Sequence, residues 1–336
     1  MNMISLKQLY QLHNGKISIK WASYLSVYDR IFSEIRNKPV RILEIGVQNG
    51  GSLEIWGKYF EKGEKFVGCD IDHRCSMLEY EDERISVLVG DVNDEAVRDE
   101  IIKYAESFSV VIDDGSHISD DVVKSFLNYF KFLDVGGIYI VEDMHASYWQ
   151  EYQGGLYFPY SSMSFFKRMA DVINHESWKT SKSVDEYLGK ISQHLSMSFD
   201  MELLAGIHSV EFVNSMCIIR KDFKESNGLG GIVVAGEFDL ITPGCKNSGF
   251  DIVFPDQSGN PWSNLAEAPD ESYESGIEKI KQMENSLRDC EQCMENLNID
   301  VLNLKSSIDA MQSSISWRLT KPLRYLKKLA YRCLSL

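Results

Sequence analysis

Two short segments of this 336-residue chain combine neighbouring carboxylates with a histidine. They read VIDDGSH at residues 111–117 and YIVEDMH at residues 139–145, and each begins with apolar residues typical of a buried strand. Adjacent parallel strands lie about 4.8 Å apart, so carboxylates at their ends can converge on one cation. Oxygen ligands suit Mg²⁺ or Mn²⁺ better than Zn²⁺. The predicted metal ligands are Asp114, Glu142 and Asp143.

Charge repulsion is a second reason to expect a cation at this place. Four clustered carboxylates would repel one another strongly if nothing positive lay between them. The alternative is that the carboxylates cap helices or pair with lysine or arginine side chains. His117 follows Asp114 by three residues and is predicted to stand at the rim of the site. An imidazole there can accept a proton near neutral pH.

A third cluster, LEIGVQNGGS at residues 43–52, predicts a small-molecule site at a strand-to-helix turn. Glycines in such a turn let the backbone approach a ligand closely at the switch-point edge of a sheet. A nicotinamide enzyme usually shows G-x-G-x-x-G, whereas this loop reads E-x-G-x-x-x-G-G. S-adenosylmethionine (SAM) has no phosphate but carries an ammonium, a sulfonium and a ribose diol, so an acidic pocket suits it. The predicted SAM-binding residues of this loop are Glu44, Gly46 and Gly50.

Two further aspartates follow predicted strands and extend the SAM site. Asp70 ends the second strand, where a carboxylate can accept both ribose hydroxyl protons. Asp91 follows the third strand, at the usual position for adenine recognition. Either aspartate alone is equally consistent with a helix cap. The glycine loop and the two aspartates, each at the end of a predicted strand, together predict SAM binding.

An alternation of strands and helices must position these groups. Predicted strands occupy residues 40–45, 65–70, 84–89, 109–112 and 137–141, and the predicted helices between them occupy residues 52–60, 94–105 and 119–132. We expect Ser52 to cap the first of these helices. The alternation predicts a Rossmann-like α/β fold, a parallel sheet with helices on both faces. A hairpin at residues 210–219 is predicted to close the sheet.

The paired acidic motifs also carry a family resemblance. VIDDGSH, together with IVEDMHASYW at residues 140–149 and the LEIGVQNGGS loop, resembles the metal-dependent sugar O-methyltransferases of macrolide biosynthesis. Their relatives include rhamnosyl O-methyltransferases and cephalosporin hydroxylase-like proteins. The resemblance covers roughly residues 15–225 and implies a class I methyltransferase sheet that uses SAM and Mg²⁺ or Mn²⁺.

The resemblance also implies roles for individual residues. His117 would be the general base, beside the metal ligands named above, and Asp113 would join the SAM site. The acceptor pocket would include His145, Tyr148 and Trp149. The implied reaction is O-methylation of a sugar hydroxyl.

The segment at residues 280–315 carries an apolar heptad repeat. Sustained spacing of three and four residues predicts a coiled coil whose seam is buried against another helix. The residue types favour a parallel homodimer, with a trimer or a helix packed on its own domain as alternatives. The first apolar positions are Ile280, Leu287, Met294, Val301, Ile308 and Ile315, and the second are Met283, Cys290, Leu297, Leu304 and Met311.

The C-terminal residues 316–336 contain six basic residues and no acidic residue. With an apolar stripe that includes Leu323 and Leu326, they predict a basic amphipathic helix suited to an anionic membrane surface. The alternative is a solvated or protein-packed terminal helix. SISWRLTKPLR at residues 314–324 resembles a terminal motif of bacterial surface-polysaccharide enzymes. This resemblance favours a lipid-linked glycan or glycolipid acceptor, such as O-antigen, over the sugar of a small antibiotic.

Composition limits the remaining functions and suggests a location. The net charge of −15 argues against nucleic-acid binding. Seven scattered cysteines and the lack of a signal-peptide pattern predict a cytoplasmic protein, peripheral on the inner face of the membrane through its tail. The predicted organisation is a helical segment at 1–39, a methyltransferase domain at 40–225, a linker at 226–272, a coiled coil at 273–315 and a tail at 316–336.

Two rival functions come from different classes. An iron-dependent hydroxylase would need two histidines and one carboxylate as ligands, whereas the candidate ligands here are carboxylates with one histidine. A degenerate methyltransferase domain could also serve as a scaffold in glycan biosynthesis, although the intact acidic motifs argue against it. An O-methyltransferase acting on an antibiotic-type sugar remains the closest alternative to the polysaccharide enzyme.

Overall fold

The computed structural model describes residues 4–238, 240–241, 244, 255–263 and 269–334. Within the last range, side chains are described at residue 283 and at residues 285–327. The chain divides into two compact units at the boundary between Asp270 and Glu271. The first unit contains a sheet flanked by helices, and the second unit consists of helices.

Seven strands form one mixed sheet in the first unit. In chain order they are β1 (Arg41–Ile45), β2 (Lys65–Asp70), β3 (Ile85–Val89), β4 (Phe108–Asp113), β5 (Leu133–Val141), β6 (Ile207–Val213) and β7 (Met216–Lys221). Across the sheet their order is β3-β2-β1-β4-β5-β7-β6. The first five pair in parallel, and β7 is antiparallel to both β5 and β6. The predicted parallel sheet and the predicted closing hairpin are therefore both confirmed.

Helices cover both faces of the sheet, so the predicted α/β class is confirmed. They are α1 (Leu6–Leu12), α2 (Ala22–Phe32), α3 (Gly51–Tyr59), α4 (Glu95–Tyr104), α5 (Ser119–Tyr129), α6 (Ser162–Ile173), α7 (Val184–Leu195) and α8 (Met201–Ala205). Alternate strand residues are buried in two different cores. Leu43 belongs to the core that contains side chains of α5 and α6, whereas its neighbour Ile42 belongs to the core built with α2 and α3.

The start of α3 differs from the prediction that Ser52 caps it. The helix begins at Gly51, and its cap residue is Gly50, whose φ of 81° lies in the left-handed region. Glycine has no Cβ and adopts this conformation without steric cost, so the turn can enter the helix earlier than predicted. The Ser52 hydroxyl instead donates a hydrogen bond to Glu44 Oε2 at 2.7 Å.

From Pro269 onward the described residues form three helices: α9 (Pro269–Ser313), α10 (Ile315–Leu319) and α11 (Lys321–Leu334). The predicted coiled-coil segment thus lies on one helix of 45 residues, except for Ser314, which caps the next helix, and Ile315. That residue starts α10, because the Ser314 side chain caps the new helix by accepting a hydrogen bond from the Trp317 amide. Among the described residues, no helix is long and apolar enough to cross a membrane.

Candidate functional site

The register of the parallel strands brings the predicted motifs to one edge of the sheet. Ile45 of β1 pairs with Asp113 of β4, which in turn pairs with Val141 of β5. Backbone bonds continue this alignment beyond the strands, since the Asp114 amide donates to Ile45 O and the Glu142 amide donates to Asp113 O, both at 2.9 Å. The residues after β1, β4 and β5 therefore share the carboxyl edge, where α/β proteins commonly bind ligands.

A cavity of about 900 Å³ opens at this edge. Many of the predicted site residues line it: Gly46, Asp70, Asp91, Asp113, Asp114, His117 and Asp143. The remaining predicted site residues, all within the described part of the chain, lie off its wall: Glu44, Gly50, Glu142, His145, Tyr148 and Trp149. The cavity thus joins the predicted SAM site to two of the three predicted metal ligands.

Asp114, His117 and Asp143 form a compact group with metal-binding potential. Their candidate ligand atoms all lie within 4.8 Å of one another. His117 Nε2 is 3.9 Å from both Asp114 Oδ1 and Asp143 Oδ2. The two carboxylate oxygens at this spacing can hold a divalent cation, with the imidazole nitrogen beside them available as a proton acceptor.

Lys20 places a buried ammonium among three carboxylates, and the sequence reasoning missed it. Its Nζ lies 2.5 Å from Asp114 Oδ2, 2.7 Å from Glu142 Oε1 and 3.7 Å from Glu44 Oε1, and its side chain is 2% exposed. Burial alone would lower the pKa of Lys20, but Glu142, Asp114 and Glu44 outweigh it and raise that pKa. Lys20 is therefore a fixed positive charge beside the cavity.

Glu142 pairs with Lys20 and is not a member of the Asp114–His117–Asp143 group. Glu142 Oε1 accepts hydrogen bonds from Lys20 and from the Tyr28 hydroxyl, and neither bond uses Oε2. Burial raises the pKa of Glu142 to about 8, despite the neighbouring ammonium. The sequence left open that these carboxylates pair with a lysine. The structure shows this pairing at Glu142 and at one oxygen of Asp114.

Glu44 lies on the face of β1 opposite to Leu43, under the cavity rather than on its wall. Strand residues alternate between faces, so Glu44 shares the side of Ile42 and of helix α3. Its carboxyl group is fully buried between Ser52 and Lys20, and burial raises its pKa. This placement does not give Glu44 the direct ligand contact that the loop sequence predicted.

The glycine loop is held against β2 by Asp70. Asp70 Oδ2 accepts hydrogen bonds from the amides of Val47 and Gln48 at 2.7 and 2.9 Å. Gly46 has a φ of 87°, and a Cβ at this position would lie 2.1 Å from Asp114 O. Only glycine therefore lets the loop run this close to the end of β4.

Asp113 differs from the other cavity carboxylates because it is completely buried. Its oxygens accept long hydrogen bonds from the Gly115 amide and the Tyr139 hydroxyl, both at 3.3 Å. Burial raises the pKa of Asp113 to about 7. Its side chain contributes to the cavity wall at the predicted place, between the glycine loop and the metal-ligand candidates.

Three residues of the cavity wall have left-handed backbone conformations that are unusual outside glycine. Gln48, His117 and Asp143 have φ values of 51°, 58° and 53°. Such conformations cost energy and concentrate at functional sites, where surrounding contacts hold them. The Asp143 amide, for example, donates to the Tyr24 hydroxyl at 3.1 Å. The strained residues include two of the three members of the candidate metal group.

Aromatic rings border the group on its exposed side. Trp21 Nε1 and the Tyr24 hydroxyl both donate to Asp143 Oδ1, at 3.0 and 2.8 Å. The Trp21 ring meets His145 edge-on at 6.0 Å, and His145 meets Trp149 at 4.9 Å. Trp21 is 59% exposed and Trp149 is 49% exposed. Tyr148 is exposed beside them.

Residues 9–152 match the family model described as Rhamnosyl O-methyltransferase/CmcI. The resemblance predicted from the motifs is thus confirmed over this segment. One curated relative is the 8-demethyl-8-alpha-L-rhamnosyl tetracenomycin-C 2'-O-methyltransferase of Streptomyces olivaceus, which is 32% identical over 197 residues, or 54% of this chain and 51% of the relative. Another is the demethylmacrocin O-methyltransferase of Streptomyces fradiae, 35% identical over 182 residues, or 50% of this chain and 45% of the relative. The chain spans about half the length of these relatives.

A solved structure has the same fold. The MycE methyltransferase from the mycinamycin biosynthetic pathway, in complex with Mg and SAH, is 27% identical to this chain and superposes with a TM-score of 0.56. The similarity covers 68% of this chain and 57% of MycE. The sheet described above is therefore of the MycE methyltransferase type.

Proposed function

We propose that this chain transfers a methyl group from SAM to a sugar hydroxyl with the help of a divalent cation. The observation that carries the proposal is the Asp114–His117–Asp143 group on the wall of a cavity that also presents the glycine loop. The names of two relatives support it, since one acts on a rhamnosyl group and both are O-methyltransferases.

The cavity suits SAM in size and charge. A volume of about 900 Å³ lies in the range of cofactor sites. Asp70, Asp91 and Asp113 line it, and carboxylates favour a ligand that carries an ammonium and a sulfonium. Gly46 lets the loop lie against the Asp114 carbonyl at the cavity, where a Cβ would come within 2.1 Å of that oxygen. SAM would supply the methyl group there.

Replacing Gly46 by alanine should destabilise the loop and abolish tight SAM binding. The matched control is Gly136→Ala, because Gly136 has a similar φ of 80° but nothing within 4 Å of its would-be Cβ. The control should lose about 1–2 kcal/mol from the left-handed conformation alone. Gly46→Ala should lose about 1–3 kcal/mol more from overpacking against Asp114. Urea unfolding and calorimetry with SAM measure both effects, and equal behaviour of the two variants would contradict the close approach.

The cation would be held by oxygens that Lys20 does not use. Lys20 supplies one ammonium to Asp114, and Asp143 adds a second carboxylate beside it, so a second positive charge is favoured. Asp114 Oδ1 and Asp143 Oδ2 face His117 rather than Lys20. A divalent cation bound there would stabilise negative charge on the acceptor oxygen and fix its direction.

His117 would serve as the proton acceptor. In the proposed reaction the sugar oxygen forms a bond to the methyl carbon while the carbon–sulfur bond breaks, and the hydroxyl proton passes to His117 Nε2. The two flanking carboxylates would balance the positive charge that the ring gains. Most of the acceleration is expected from holding the two reactants in line.

The aromatic side chains beside the group would bind the sugar acceptor. Trp21 and Trp149 are exposed on either side of His145, and indole rings offer an apolar body with a polar edge. The relatives' names favour the sugar of a small antibiotic as acceptor. A second candidate acceptor is a lipid-linked surface polysaccharide such as O-antigen, which the basic terminal helix favours because it would bring the enzyme to a membrane.

Two acceptor probes test the proposed function. The purified full chain would be incubated with methyl-deuterated SAM, Mg²⁺ and either demethylmacrocin or the lipid-linked polysaccharide of the source organism. Mass spectrometry would then detect one added methyl group per modified sugar. Transfer to demethylmacrocin supports the antibiotic-type acceptor, and transfer to the polysaccharide supports the second candidate. Absence of transfer to both would contradict a sugar methyltransferase of either kind.

We also propose that α11 attaches the enzyme to anionic membranes. Arg318, Lys321 and Lys327 lie in a region without acidic residues, and Arg324 packs its guanidinium 3.6 Å from the centre of the Trp317 ring. Each basic residue near an anionic surface contributes about 1 kcal/mol, so reversing three charges should weaken binding by at least about a hundredfold. Co-sedimentation of the full chain and of the triple Glu variant with phosphatidylglycerol vesicles measures this. Equal binding to neutral phosphatidylcholine vesicles would contradict it.

A further inference from the structure

Helix α9 presents an apolar seam to its surroundings. Seven seam side chains of the described part are between 46% and 64% exposed: Leu287, Met294, Leu297, Val301, Leu304, Ile308 and Met311. A helix of 45 residues extends about 68 Å. An apolar stripe along such a helix, bordered by polar residues, marks an interaction surface.

We propose that a second copy of this chain covers the seam as a parallel, two-stranded coiled coil in register. The spacing of three and four residues holds along the helix from Ile280 to Met311, and this spacing keeps one face turned to a partner helix. Many of the first positions hold isoleucine or valine, and Leu297 and Leu304 stand at second positions, which is the pattern of parallel dimers.

The charges that flank the seam agree with this register. In a parallel coiled coil, each residue that precedes a first position approaches the residue five places further along the second helix. Asp300 would then meet the partner's Lys305. The other three pairs of this kind between residues 286 and 312 each contain at least one uncharged residue. No two like charges therefore meet.

Parallel pairing has a consequence for the tail. Both copies of α10 and α11 follow the same end of the coiled coil, so two basic helices would engage one surface together. Two linked weak contacts bind more tightly than one. This consequence rests on the proposed membrane attachment, whereas the pairing itself depends neither on that attachment nor on methyl transfer.

Two leucine substitutions separate the seam from the rest of the helix. Leu304 lies on the seam and Leu302 lies off it, yet their exposures are 64% and 63%. We expect light scattering to give twice the mass of the 38.4 kDa chain for the full-length protein and for Leu302→Lys, and one chain mass for Leu304→Lys. A monomeric or trimeric full-length protein, or the same mass for both variants, would overturn the proposal.

Oxidation then tests direction and register. Cys290 occupies a second position of the repeat, where a parallel pair in register places each residue opposite its own copy. Cys293 stands at the edge of the seam, and both thiols are exposed and free. Under diamide, the full chain and Cys293→Ser should form a covalent dimer on a denaturing gel, whereas Cys290→Ser should not. A cross-link that survives Cys290→Ser, or one that never forms, would overturn the parallel register.

Discussion

The Asp143→Asn variant is expected to fold, to bind SAM within a few-fold of the unmodified chain, and to lose about a thousandfold in methyl transfer. Asparagine keeps an oxygen for the bonds from Trp21 and Tyr24, so the loop after β5 should hold its conformation. What disappears is the negative charge of the oxygen that faces His117. The turnover rate at saturating SAM and Mg²⁺, with calorimetry for SAM, provides the measurement.

Asp121→Asn is the matched control for this experiment. Asp121 lines the same cavity but accepts a hydrogen bond from Ser116 and lies outside the candidate metal group. Its turnover rate at saturating SAM should stay within a few-fold of the unmodified chain. If Asp143→Asn retains more than about a tenth of the rate, the charge at this position does not assist the reaction as electrostatic catalysis requires.

Replacing Lys20 by methionine should give the largest loss of stability. Methionine has a similar length but no charge, so Glu44, Asp114 and Glu142 would remain together without their shared ammonium. Removing one partner of a buried ion pair costs about 3–5 kcal/mol. The control is Lys16→Met, because Lys16 is 28% exposed and pairs with Glu54 at 2.8 Å. A pair that is open to solvent in part should contribute less than the buried Lys20 cluster, about 1 kcal/mol.

The Lys20→Met defect should depend on pH in one direction. Burial already raises the pKa of Glu142 to about 8, and loss of the ammonium raises it further. A carboxyl group whose pKa is higher in the folded than in the unfolded state destabilises the fold as pH rises above its pKa in the unfolded state. The stability gap should therefore widen as pH rises above about 8, where Glu142 ionises in the unmodified chain but stays protonated in the variant. Urea unfolding at several pH values measures it, and a constant gap below about 1 kcal/mol would refute the shared-cation role.

The sheet edge could be predicted because its signals are local. The run at residues 65–70 predicts β2 with its observed bounds, and the aspartates after such runs are placed at one edge by parallel pairing alone. The same logic placed Asp113 and Asp114 beside the end of β5 before any contact was known.

The partners of these carboxylates could not be predicted in the same way. Lys20 is 94 residues from Asp114 in the chain, and a lone lysine between Ile19 and Trp21 gives little local indication of a buried contact. Glu142 was consequently grouped with the metal ligands rather than with this lysine. Trp21 was missed as a neighbour of Asp143 for the same reason, since only the tertiary fold brings α2 to the end of β5.

Binding of Mn²⁺ to the full chain, followed by electron paramagnetic resonance, tests the central claim most directly. The account predicts one bound Mn²⁺ per chain, an affinity at least about tenfold lower in Asp143→Asn because one ligand charge is lost, and no change in Asp121→Asn. Absence of Mn²⁺ binding by the unmodified chain, or equal affinity in Asp143→Asn, would contradict the cation site on which the proposed reaction depends.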